Sequence, residues 1–194
     1  MSALALVAQP SGATDNSNFL KFNYKVDATT HLQKLDQTIV VKNGTFVGYI
    51  DFTLAGPESV LPLRGNIVLP QTSFTYRAAG ILPLIHATAK IVPTKNVTGT
   101  LDLNALLVTA TATFDIRIVS AYATGTTTNL VGNNCKTATP VSVTMTGPAT
   151  FGTPATFSGT FTIPNLANCG LGTTALNLVI PGPGNTFTAV ATPR

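Results

Sequence analysis

Residues 107–122 read LVTATATFDIRIVSAY. Val108, Ala110, Ala112, Phe114, Ile116 and Ile118 fall on one side of this run, and Thr109, Thr111, Thr113, Asp115 and Arg117 on the other. A repeat of two residues is the mark of a half-buried strand, not of a helix. One apolar and one polar face suit an antiparallel sheet with a single wet side. Asp115 and Arg117 share the polar face and are expected to pair there, a surface contact of about 0–1 kcal/mol.

The same pattern recurs outward from this run. In residues 19–30, Leu20, Phe22, Tyr24, Val26 and Ala28 alternate with Lys21, Asn23, Lys25, Asp27 and Thr29. Strands are expected at 38–42 and 45–54, joined as a hairpin at Asn43-Gly44, because both residues accept positive φ. Phe46, Ile50, Phe52 and Leu54 share a face with Gly48, which marks a bulge or a close backbone approach. Shorter β segments are expected at 65–69, 72–77 and 99–103, and the apolar 80–92, interrupted by Pro83, reads as a buried strand or an irregular crossing. On the carboxyl side the strands are 141–145, 156–163 and 186–191. Residues 173–180 read equally as a short helix capped by Thr173 or as a strand. Gly65–Pro70 and Gly159–Pro164 share a G-x-[IF]-x-[LI]-P pattern, which reads either as a chance match of short β patterns or as the trace of two halves that are diverged copies of one β unit.

The expected fold is therefore all-β, with antiparallel sandwich or barrel-like sheets in two related subdomains. Residues 15–123 form the first and 135–194 the second, around a low-complexity connector at 124–134. Residues 1–14, with an apolar run from Ala3 to Ala8, read as a signal remnant or a flexible N-terminus.

Composition narrows the function. Hydrophobic residues make up 44% of the 194, and charged residues only 9%, against about 25% in an average globular protein. Threonine stands in for the missing charge, which favours an extracellular or envelope setting. The net charge of +4 comes from scattered lysines and arginines. Without a basic stripe, nucleic-acid binding is not expected. No apolar run reaches 18 residues, so no transmembrane helix is expected.

Cys135 and Cys169 are the only cysteines. Both lie in irregular segments beside strands, which suits a disulfide in an oxidising compartment; two free buried thiols remain the other reading. With His31 and His86 far from them in sequence, no metal-ligand spacing exists.

Four segments, Tyr24–Thr30, Cys135–Pro140, Thr162–Gly170 and Gly182–Asn185, resemble a group of uncharacterised secreted β-rich proteins of actinobacteria. The resemblance spans most of the chain. It implies secretion and a Cys135–Cys169 link, and brings no activity and no catalytic residues. A fainter similarity to lipid-carrying β-barrels lies in the Tyr24-to-Phe52 pattern and carries no expectation of its own.

No catalytic constellation stands out. A nucleophile elbow is missing, as are phosphate loops, dinucleotide fingerprints and calcium loops. Asp27 and Asp51 are the one pair of carboxylates that neighbouring strands would bring together. Regular threonine arrays bind ice or crystalline polymers, but the threonine spacing does not recur from strand to strand. The expected function is thus non-catalytic and without cofactors or metals. It is the binding of an apolar molecule, such as a lipid, or of a surface polymer, by a secreted or cell-surface protein. Phe22, Tyr24, Phe46, Phe52, Phe74 and Phe114 are the expected lining, in an enclosed cavity of several hundred Å³; the other reading is that these side chains simply fill the core. The alternative is a structural, self-assembling surface protein whose partners are copies of itself or the cell envelope.

Overall fold

Alternation this persistent makes strands, and the computed structural model of the chain is built almost wholly from them. It describes residues 18–53, 59–77, 84–150 and 152–194. The expected signal remnant at 1–14 lies outside the described residues. In chain order the elements are β1 (Phe19–Leu32), β2 (Gln37–Asp51), β3 (Val60–Val68), β4 (Thr72–Arg77), β5 (Leu84–Pro93) and β6 (Val97–Asp102). They continue with β7 (Leu107–Ala123), β8 (Lys136–Thr137), β9 (Val141–Pro148), β10 (Ala155–Ile163), β11 (Leu166–Ala167), a single turn of 3-10 helix (Gly170–Gly172), α1 (Thr173–Val179) and β12 (Gly182–Pro193).

Antiparallel ladders run in the order β1-β2-β3-β6-β7-β9-β10-β12. β12 then pairs back onto β1, from Tyr24–Pro193 to His31–Thr186. Eight strands thereby close an up-and-down barrel, which removes the exposed edges of an open sheet. Two of its staves are broken. Only Leu69–Gln71 separate β3 from β4, and β5 and β6 pair with successive stretches of β7. Each break coincides with a proline, Pro70 or Pro93, which has no N–H to give a ladder.

The Asn43-Gly44 hairpin is not formed. β2 runs straight through both residues, and the positive φ of Asn43 (63°) serves a bulge instead. Val26 faces Gly44 and Ala28 faces Val41, so Asp27 stands opposite two residues, Lys42 and Asn43. The Asn43 N–H donates to Asp27 Oδ1 at 2.8 Å. The chain actually reverses at 33–36, where Asp36 takes φ 47°.

The connector 124–134 is not a border between two sheets. It leads into β8, which pairs with β7 at Arg117–Lys136, and β9 pairs with β7 along Leu107–Phe114. Strands from both sides of it share one closed sheet. The two G-x-[IF]-x-[LI]-P segments lie on β3 and β10, each the middle strand of an antiparallel triplet, as every strand of such a barrel is. The Asp115–Arg117 pair is not formed either. Lys136 Nζ bonds Asp115 Oδ2 at 2.6 Å, and the Arg117 guanidinium donates to the Asn133 carbonyl.

Inside, apolar side chains fill the barrel; outside, the wall is rich in threonine. That is the reverse of a membrane-spanning barrel, whose outer face is apolar. The threonines do recur across strands, contrary to the expectation from sequence. Thr98, Thr111, Thr144, Thr160 and Thr186 are successive cross-strand partners, and Thr100, Thr109, Thr146, Ser158 and Thr188 form a second rank beside them. These ranks follow five of eight strands around a closed wall. They are curved, so a flat crystal face meets only part of them. Their hydroxyls hydrate the surface where charges are few, on a residue type that suits strands.

One end of the barrel is sealed. Leu166, Leu176 and Ile180 of the segment before β12 pack with Leu32, Val131, Val141 and Ile163 into one buried cluster. Cys135 and Cys169 form a disulfide there with Cα atoms 4.2 Å apart, both sulfurs buried. Residues 173–179 take the helical reading. Thr173 is not its cap: Gly172 holds that position, while Thr173 Oγ1 accepts from the Cys169 N–H at 3.2 Å and donates to the Gly170 carbonyl at 2.8 Å. The fully buried Asn185 ties the cap to the wall. Its amide donates to the carbonyls of Gly182 (2.8 Å) and Phe161 (3.3 Å), and its oxygen accepts from the Gln33 N–H at 3.1 Å.

Candidate functional site

The inward faces enclose two apolar cavities, one in each half of the barrel. The first, about 100 Å³, lies toward the end opposite the cap; Phe22, Tyr24, Phe46, Leu101, Met145 and Phe157 are among its walls. The second, about 90 Å³, lies toward the cap among Ile39, Phe74, Phe114, Ile163 and Ile180. Each is smaller than the several hundred Å³ expected from the sequence and typical of a drug-sized ligand. Among the described residues Phe187 is the one that lines both.

Phe22, Tyr24 and Phe46 are brought together in the first cavity, and Phe74 and Phe114 in the second. Phe52 lines neither. It keeps the parity of the buried Ile50, but the last rung of β2 is Asp51–Phe19, so no opposite wall remains to cover it. Its N–H bonds the Asn18 carbonyl, and its ring is 46% exposed. Leu101, Met145, Phe157 and Phe187 were not expected in the lining. For Phe157 and Phe187 the signal was present, since both sit on the apolar side of alternating runs.

Room for the aromatic rings comes from two missing side chains. Gly48 and Gly65 are cross-strand partners, and Phe22 pairs with Gly48 on the other side. A Cβ on Gly65 would meet the Phe46 ring, and one on Gly48 would meet the ring of Phe22. The close approach read at Gly48 is thus a ring lying against bare backbone. Phe22 makes an edge contact with Tyr24 at 5.5 Å and a tilted one with Phe46 at 5.9 Å.

Tyr24 supplies a hydroxyl to an otherwise apolar lining. It donates to the Thr150 carbonyl at 3.4 Å, and Thr150 also borders the cavity. Burial raises the Tyr24 pKa above 10.0, because a phenolate would lie in apolar surroundings. The group is therefore a neutral donor and acceptor at physiological pH. Among the described residues no charged side chain lines either cavity.

The end of the barrel beyond the first cavity carries large apolar side chains in the open. Leu103, Leu106 and Leu107 form the β6–β7 turn, and Phe19 and Phe52 flank the β1–β2 end; all are exposed, Leu106 to 60%. The two groups frame the cavity, whose wall includes Pro148 and Ala149, and the Ala149 N–H bonds the Leu106 carbonyl at 2.8 Å.

The histidines lie on the outer surface. His31 Nδ1 is 3.4 Å from the Thr38 hydroxyl and its Nε2 is 3.6 Å from Asp36; His86 sits between the hydroxyls of Thr75 and Thr124. Asp27 and Asp51 do not meet. Asp51 pairs with Phe19, eight residues along β1 from Asp27, roughly 26 Å at the rise of a strand. Asp27 is held instead by the Asn43 N–H and by Lys25 at 3.0 Å, which lower its pKa. Among the described residues no cluster of three metal-ligating side chains occurs, and no helix is long and apolar enough to cross a membrane. No protein-family model, curated protein or solved structure matches the chain.

Proposed function

We propose that this protein is a non-catalytic binder of an apolar molecule, working in an extracytoplasmic compartment as a secreted or surface-held barrel. The observation that carries this reading is the pairing of an apolar cavity with an apolar rim at the end opposite the cap. A wholly water-facing mouth would have no use for Phe19, Leu103 and Leu106 in the open, and exposed apolar patches mark interaction sites. The disulfide supports the compartment, since such bonds persist where thiols are oxidised. The ligand is uncharged where it meets the wall, with at most a hydroxyl, carbonyl or ester placed against Tyr24 and Thr150. An anionic headgroup would find no cation in the lining.

The rim also favours a second reading, a surface protein that assembles rim to rim. Native mass spectrometry of the protein with decan-1-ol separates the two. A saturable one-to-one adduct on the monomer supports the binder. Dimers or higher species that take up no alcohol support self-assembly and refute the binder.

A further inference from the structure

Phe187 lies between the two cavities and lines both. It lies on β12 opposite Thr30 of β1 and Gly159 of β10. Around it, Val26, Ala28, Val41, Leu69 and Ala189 form a buried belt across the middle of the barrel. Phe187 packs against this belt and also against the capped core, yet it is itself only half-buried. Among the described residues it is the sole one that lines both cavities.

We infer that Phe187 is a swinging partition and that the ligand is an extended, unbranched hydrocarbon chain whose tail passes it into the second cavity. This rests on the binding reading above. The geometry selects the chain. Either cavity alone is too small for a ring system of ordinary ligand size, and the belt confines any passage between them to the width that one side chain vacates. Rotation of Phe187 between staggered χ1 wells opens that passage without moving a strand. The chain's polar end stays at Tyr24, and its far end comes to rest beneath Ile163 and Ile180, where the cap stops it. Both cavities are apolar, so each further methylene taken in strengthens binding about fourfold. That gain ends when the chain reaches the cap. A methyl branch at mid-chain meets the belt and weakens binding at least tenfold, a loss of about 1.4 kcal/mol.

The test uses the full chain with labelled isoleucine methyls, titrated with hexan-1-ol and with dodecan-1-ol. Ile50 and Ile67 report on the first cavity; Ile39, Ile163 and Ile180 report on the second. The short alcohol shifts only the first group, and the long alcohol shifts both. If the long alcohol moves Ile50 and Ile67 but leaves the second group still, Phe187 is a fixed wall and the inference fails while the binding reading stands. If neither group responds to either alcohol, both fall. Phe187→Leu gives an independent readout: with the partition shortened, hexan-1-ol also perturbs Ile39. An unchanged Phe187→Leu response would mean that the ring does not control the passage.

Discussion

The two ends of this barrel are built by opposite means. At the capped end the chain folds back over the opening and side-chain hydrogen bonds fasten it, with Gln37 Oε1 the buried polar atom left without a partner among the described residues. Asn177 exchanges two hydrogen bonds with the Leu166 backbone, at 2.6 and 2.9 Å, Asn185 makes three, and the disulfide fastens the segment. At the other end, among the described residues, leucine and phenylalanine side chains are exposed at the strand ends. One end of the wall is thus fastened by hydrogen bonds and a covalent link, and the other presents an apolar rim. On the proposed reading, the first end serves stability and the second serves contact.

Changes at the capped end should therefore cost stability, and changes at the rim should cost binding. The largest effect is expected for Cys135→Ser with Cys169→Ser. Opening a loop that spans 34 residues removes about 3–4 kcal/mol by the chain-entropy estimate, read as a lower urea midpoint that reductant no longer shifts. Asn185→Ala comes next. It strands the Gln33 N–H and the Phe161 carbonyl inside the protein, for a loss of about 2–3 kcal/mol in the same assay. At the rim, Leu106→Gln should change stability by less than about 0.5 kcal/mol while weakening alcohol binding severalfold. A rim variant that unfolds the protein would erase the contrast between the ends.

The smallest effect is expected on the wall between them. The bulge N–H and Lys25 hold the Asp27 pKa below its ordinary 3.8. A lowered carboxylate pKa gives stability that is present above the unfolded value and is lost as pH falls through the folded one. Asp27→Asn should therefore unfold slightly more easily than the parent at neutral pH. The two melting curves should converge in acid below pH 3.8. A gap that persists there would assign the effect to the bulge geometry instead of the charge.

Much of this architecture was legible in the residues. Period-two alternation found β1, β4, β7, β10 and β12 because one face of each is buried, although in β7 the burial departs from it at Asp115, which the alternation places on the wet face and the structure buries against Lys136. What local reading missed were the long-range choices. Asn43-Gly44 has the chemistry of a turn, but the same positive φ serves a bulge, and only the pairing of β1 with β2 on both sides of it decides between them. The barrel's closure rests on β1 meeting β12, more than 150 residues apart in sequence, and no local pattern encodes that contact. Of the expected cavity lining, Phe22, Tyr24 and Phe46 could be read from parity. Phe52 was misplaced because parity does not say where the opposite wall ends. Phe187 was passed over because its importance lies in what stands on either side of it. The threonine ranks were missed for a related reason: their regularity exists only in the register between strands, not along the chain.

The claim on which the account turns is that an apolar molecule lodges inside the half of the barrel opposite the cap. Methionine offers a direct reporter, because the chain has only two, Met1 and Met145, and Met145 lines the first cavity. Carbon-13 methyl-methionine spectra recorded through a decan-1-ol titration should show the Met145 resonance moving saturably at one alcohol per chain. A stationary Met145 resonance up to the solubility limit of the alcohol would contradict it.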